Sequence, residues 1–93
     1  GFLDLYKTPI TSLPDNLKVG GNLYLESSQI TSLPNNLQVG GDLNLDYTPL
    51  SYEIKDSKWW LDFHSDLTET LAKKQVKKII KKKGGEVKGR IYI

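Results

Sequence analysis

An α+β fold, a short solenoid of parallel strands with a C-terminal helix–strand capping segment, follows from three features of the 93-residue sequence. First, apolar residues recur in register every 20 positions: Leu3, Leu23 and Leu43, then Leu5, Leu25 and Leu45, then Ile10, Ile30 and Leu50. Leu13-Pro14 and Leu33-Pro34, Leu17 and Leu37, Val19 and Val39, and the pairs Gly20-Gly21 and Gly40-Gly41 complete the unit. A fixed period of this length with apolar positions in register is the signature of stacked repeats. Second, a helical period appears only after the repeat stops, over residues 66–83. Third, Val87-Lys88-Gly89-Arg90-Ile91-Tyr92-Ile93 reads position by position against Val19-Gly20-Gly21-Asn22-Leu23-Tyr24-Leu25.

Each unit opens with an apolar–polar–apolar triplet: Leu3-Asp4-Leu5, Leu23-Tyr24-Leu25, Leu43-Asn44-Leu45. Period-two alternation makes these short strands with the leucines inward. Stacked units would pair them in a parallel sheet, about 4.8 Å apart. Phe2, Asp4 and Tyr6, then Asn22, Tyr24 and Glu26, then Asp42, Asn44 and Asp46 point outward. Thr8, Ser28 and Thr48 follow each strand, and a hydroxyl there is expected to bond the neighbouring unit's backbone. Leu-Pro and the Asp-Asn or Asn-Asn pair after it form a loop or short helical turn on the far side. Gly20-Gly21 and Gly40-Gly41 are expected to supply the backbone angles for re-entry into the next strand.

The run Leu23-x-Leu25-x-x-Ser28-x-Ile30-Thr31-Ser32-Leu33-Pro34 resembles the leucine-rich repeat, in the 20-residue style of bacterial effector and bacteriophage proteins. The resemblance covers residues 1–50 and recurs in register. It departs from the family pattern where Thr8, Ser28 and Thr48 replace the usual Asn, so a continuous Asn ladder is not expected. It implies a non-catalytic protein–protein interaction or structural scaffold module within a phage or bacterial assembly. A structural protein of a virion, or an inhibitor of a host defence protein, would fit the same scaffold. The expected location is the cytoplasm or the phage particle. Because the chain opens in mid-unit at Gly1-Phe2-Leu3, further repeats are expected N-terminal to it.

Residues 51–93 read as an atypical last repeat. Ser51 to Lys58 is polar and reads as a loop. Trp59 and Trp60 are either partner anchors or, as the area an indole buries favours, plugs on the end of a thin core. Over 66–83, Ala72, Val76, Ile79 and Ile80 share one face at helical spacing, opposite Lys74, Lys77, Lys78 and Lys81. Leu67 and Leu71 lie on another side of the wheel, which predicts a break near Thr70–Ala72. Ser65, Asp66, Thr68 or Thr70 can cap the helix start. Gly84-Gly85 stops it, and residues 87–93 form the final strand.

The net charge of +2 conceals an asymmetry. Residues 1–60 hold four Lys/Arg against seven acids, and residues 61–93 nine against four. With no cysteine, a disulfide framework and a thiolate metal site are excluded. His64 is the single histidine, with Asp62 beside it by ordinary spacing, and neither a catalytic triad nor a zinc site can be assembled. The Gly-Gly pairs lack a following Gly-Lys-Ser/Thr and so are no nucleotide loop. No enzyme, cofactor or metal is therefore expected, and no apolar run approaches the length of a membrane span.

Two surfaces remain as candidates. The strand face offers Asp4, Tyr6, Asn22, Tyr24, Glu26, Asn44, Asp46, Arg90 and Tyr92, a mixed polar and aromatic stripe that suits a protein partner. The helix offers Lys74, Lys77, Lys78 and Lys81 to nucleic acid or to another anionic surface. It has no Arg or interleaved aromatic, so base reading is not expected. The ordinary reading of such a run is a solvated face.

Overall fold

Leu3 stands beside Leu23, Leu23 beside Leu43 and Leu43 beside Ile91, every pair parallel. The computed structural model describes the backbone of residues 1–55 and 65–93, and the side chains of 1–55 and 71–93. Trp59, Trp60, Asp62 and His64, the 56–58 part of the expected loop, and the side chains expected to cap the second helix lie outside the described residues.

The elements in order are β1 (Leu3–Asp4), β2 (Lys18–Val19), β3 (Leu23–Tyr24), β4 (Gln38–Val39), β5 (Leu43–Asn44), α1 (Pro49–Lys55), α2 (Ser65–Lys82), β6 (Glu86–Val87) and β7 (Ile91–Tyr92). The architecture is α+β, with parallel strands in two sheets. One sheet has the order β1-β3-β5-β7, the other β2-β4-β6. The first two units thus contribute two strands each, one before and one after the Leu-Pro turn, and in the third α1 and α2 lie between β5 and β6. Val19 pairs with Val39 and Val39 with Val87, so these valines form a ladder of their own.

Between the sheets lies one core. Leu23, Leu25, Ile30, Leu37, Leu43 and Leu45 are fully buried, and Ala72, Val76, Ile80, Ile91 and Ile93 join them from the C-terminal segment. Each such leucine or isoleucine contributes about 1.5–3 kcal/mol relative to an exposed one. At the β1 edge Leu3, Leu5, Ile10 and Leu17 are only partly covered.

Four local features differ from the sequence reading. Ser51 to Lys55 is not loop: α1 begins at Pro49. Thr48 is its N-cap, accepting the Ser51 N–H on Oγ1 at 3.0 Å, with Pro49 at the first helical position, where a missing N–H costs nothing. The Leu50 N–H, another donor orphaned at the helix start, reaches the Ile30 carbonyl at 3.1 Å. Thr8-Pro9 is the same dipeptide without a helix, because Pro14 would interrupt one where Ile54 stands in the third unit.

The hydroxyls of Thr8, Ser28 and Thr48 do not cross to a neighbouring unit. Each donates to the carbonyl three residues back in its own turn: Leu5 at 2.8 Å, Leu25 at 2.7 Å and Leu45 at 2.7 Å. The third position of these turns takes positive φ at Lys7, Ser27 and Tyr47. None of the repeat glycines does. Their role is space: a Cβ on Gly40 would collide with the Gly20 carbonyl, and one on Gly41 with Oδ1 of Asn22.

α2 runs unbroken from Ser65 to Lys82, with no interruption at Thr70–Ala72. Neither Pro nor Gly occurs within it, and Leu71 packs on the core beside Ile79, widening the apolar stripe instead of ending it. Its C-terminus is a Schellman closure. The Gly85 N–H reaches the Ile80 carbonyl at 2.9 Å and the Gly84 N–H the Lys81 carbonyl at 3.0 Å, with Gly84 at φ 81°. In register, Gly84 occupies the place of Asn16 (φ 66°) and Asn36 (φ 54°). The helix therefore ends on the left-handed residue that the second sheet needs before β6.

Candidate functional site

Parallel pairing at the 20-residue register turns the outward residues of the first sheet into three rows. Phe2, Asn22, Asp42 and Arg90 form one, Asp4, Tyr24, Asn44 and Tyr92 the next, and Tyr6, Glu26 and Asp46 the third. Side chains on the inner strands are flanked on both sides, and those at the margins are not. Asn22, Tyr24, Glu26, Asn44 and Asp46 are accordingly half-buried, while Asp4, Tyr6, Arg90 and Tyr92 are exposed.

Several of these polar groups are committed to the structure. Asn22 Oδ1 accepts the Asp42 N–H at 2.8 Å, and Asp42 Oδ1 accepts the Arg90 N–H at 2.7 Å. This is a side-chain-to-backbone ladder that runs from unit to unit. The Asn22 amide nitrogen donates to the Tyr24 hydroxyl at 2.8 Å, so both polar ends of Asn22 are used. Asp4 Oδ1 takes the Tyr6 N–H and Asn44 Oδ1 the Asp46 N–H, each at 3.0 Å, closing the turns after their strands.

The aromatic groups have few such obligations. Phe2, Tyr6, Tyr47 and Tyr92 are all exposed, the first and third by more than two-thirds of their surface. Phe2 meets the Tyr24 ring edge to face at 6.1 Å, and the Lys7 ammonium lies 5.3 Å from the Tyr6 ring centroid. Phe2 and Tyr47 were not among the candidate residues of the sequence reading. An available signal is the aromatic at position 47, where the other units carry Lys7 and Ser27. The charges on this face are Asp4, Glu26, Asp42 and Asp46 against Lys7 and Arg90, a net acidic field.

The second surface lies on α2, which packs against α1, β6 and β7. Lys74, Lys77, Lys78 and Lys81 are all exposed, as is Lys82. Lys83 is turned back into the protein, its ammonium donating to the Leu33 carbonyl at 2.8 Å. Lys77 and Lys81 rim a groove of about 280 Å³ whose other lining residues are Ile80, Gly85, Glu86 and Val87.

Among the described residues no three His, Cys, Asp or Glu side chains gather as a metal-binding group. No described helix is long and apolar enough to cross a membrane. Comparison with protein-family models, curated proteins and solved structures finds no match to the chain.

Proposed function

We propose that the chain is a leucine-rich-repeat-like solenoid segment that serves as a non-catalytic interaction or scaffold module, binding a protein partner on the β1-β3-β5-β7 face. The observation carrying this reading is the ring of exposed aromatics, Phe2, Tyr6, Tyr47 and Tyr92, around a polar and net acidic field. Aromatic side chains bring large contact area at low entropy cost and are enriched in protein interfaces. Support for the solenoid reading comes from the matched 20-residue offset of both sheets. A partner suited to this face presents apolar side chains bordered by Lys or Arg. Membership of a phage or bacterial assembly is what the repeat resemblance adds.

The test places a photo-cross-linking amino acid at Tyr92, and separately at Ser12, an exposed position away from the face. In the source cell, a discrete protein adduct from position 92 that is absent from position 12 is expected. With that partner purified, the double substitution Tyr6→Ala and Tyr92→Ala should weaken binding more than tenfold while leaving Tm unchanged. Equal labelling from both positions, or undiminished affinity, would remove the strand face as the binding surface.

A further inference from the structure

The protein has a second, electrostatically opposite surface that the strand-face reading leaves unused. Residues 71–93 hold nine of the 13 Lys/Arg and one of the 11 acids, a local net charge of +8. Residues 1–70 hold the remaining four cations against ten acids. The fold concentrates the positive part, because Lys74, Lys77, Lys78, Lys81 and Lys82 all emerge on the solvent side of α2. None of the five forms an ion pair among the described residues. A rise of 1.5 Å per residue spreads them over about 12 Å of helix axis.

What such a surface can hold depends on the other side of the helix. Insertion of a basic amphipathic helix into an anionic membrane needs a free apolar face to enter the acyl boundary. That face is absent here. Ala72 and Val76 are wholly buried and Ile80 is 3% exposed, and Leu71 and Ile79 pack against the same core. Exposing them would dismantle the fold. What remains is a rigid row of ammonium groups with mobile ends, suited to a partner of dense, regular negative charge and no required sequence. Lys meets phosphate as a point charge and releases the counterions condensed on a nucleic-acid backbone. The lack of Arg and of aromatics among these residues fits backbone contact without base reading.

We infer that the exposed lysine face of α2 is a sequence-independent docking surface for the phosphate backbone of duplex nucleic acid. It neutralises three or four phosphates and is independent of the strand face. The chain would then join a protein, held on its first sheet, to nucleic acid held on α2.

The experiment measures anisotropy of short labelled DNA and RNA duplexes with the whole chain at about 50 and about 200 mM salt. Release of three or four counterions predicts an affinity loss of about 100-fold across that range. The variant K74Q/K77Q/K78Q/K81Q, which keeps helix-favouring side chains, should abolish binding while its circular dichroism and Tm stay those of the parent. The control K18Q removes a cation on the second sheet, outside α2, and should bind as the parent does. If the quadruple variant does not fold, the salt slope of the parent still decides. A flat slope, or no binding at about 50 mM, overturns the proposal. So does loss of binding in the control with retention in the quadruple variant. Poly-glutamate peptide competing as well as duplex would assign the surface to an acidic protein, and tighter binding to anionic vesicles would assign it to a membrane; either overturns the inference. Failure of any arm leaves the Tyr92 cross-link untouched, since no strand-face residue is altered.

Discussion

Oδ1 of Asn22 accepts the backbone N–H of Asp42 at 2.8 Å, spanning one whole 20-residue unit with a single hydrogen bond. One unit further, Asp42 repeats the arrangement on Arg90 at 2.7 Å. Both bonds need the residue beside the donor to be glycine. A Cβ on Gly41 would strike Asn22 Oδ1, and one on Gly89 would strike Asp42 Oδ1. The side chain of one unit and the glycine of the next are therefore a single device.

Asn22→Ala removes an acceptor from the Asp42 N–H and a donor from Tyr24, and should cost about 1–2 kcal/mol in urea denaturation. Asn22→Asp keeps the acceptor and should recover most of that loss. Equal stability of the two variants would show that the ladder bond contributes nothing.

Gly40→Ala should destabilise by about 2 kcal/mol or more, since the new Cβ meets fixed backbone at Gly20 and not a side chain that can turn away. Gly20→Ala makes a useful contrast. Its Cβ would have Gly1 as nearest neighbour at 3.7 Å, and the change should stay within about 1 kcal/mol. Thermal melts of the two variants give the difference directly.

Thr48→Val retains shape while deleting the N-cap of α1 and the bond to Leu45. A loss of about 1–2 kcal/mol is expected, with Thr48→Ser close to the parent. Thr8→Val, at the same place in a unit without a helix, should cost less.

Gly84→Ala forces a side chain into φ 81° and should cost about 1 kcal/mol or more. Gly84→Asn should be milder, because Asn16 and Asn36 already hold this conformation at the equivalent positions. A melting series of the two variants checks the order.

The parallel register was legible in the chain because leucines recur at fixed offsets, and burial of Leu23, Leu25, Leu43 and Leu45 follows from that recurrence. The second sheet was not. Lys18–Val19 and Gln38–Val39 each present one buried residue, too short a stretch for any period to register. α1 was hidden because Thr8-Pro9 and Thr48-Pro49 are the same dipeptide, and the replacement of Pro14 by Ile54 further along is what lets a helix continue. On the strand face the rows could be read, but the engagement of Asn22 and Asp42 could not. That engagement depends on room left by a glycine in the following unit. The lysine face could be read too, and its meaning could not, since the choice between lipid and phosphate turns on the burial of Val76 and Ile80.

The first three strands of the main sheet pair across 20 residues, but β7 pairs with β5 across 48. Closing the longer loop costs about 0.8 kcal/mol more in chain entropy, a cost that detachment of β7 alone would recover. The Leu43 and Leu45 amides, which donate to Arg90 and Tyr92, record that detachment. The Leu23 and Leu25 amides donate to Asp42 and Asn44 and stay protected through it. Native-state hydrogen exchange on these amides would therefore resolve two tiers in one sheet.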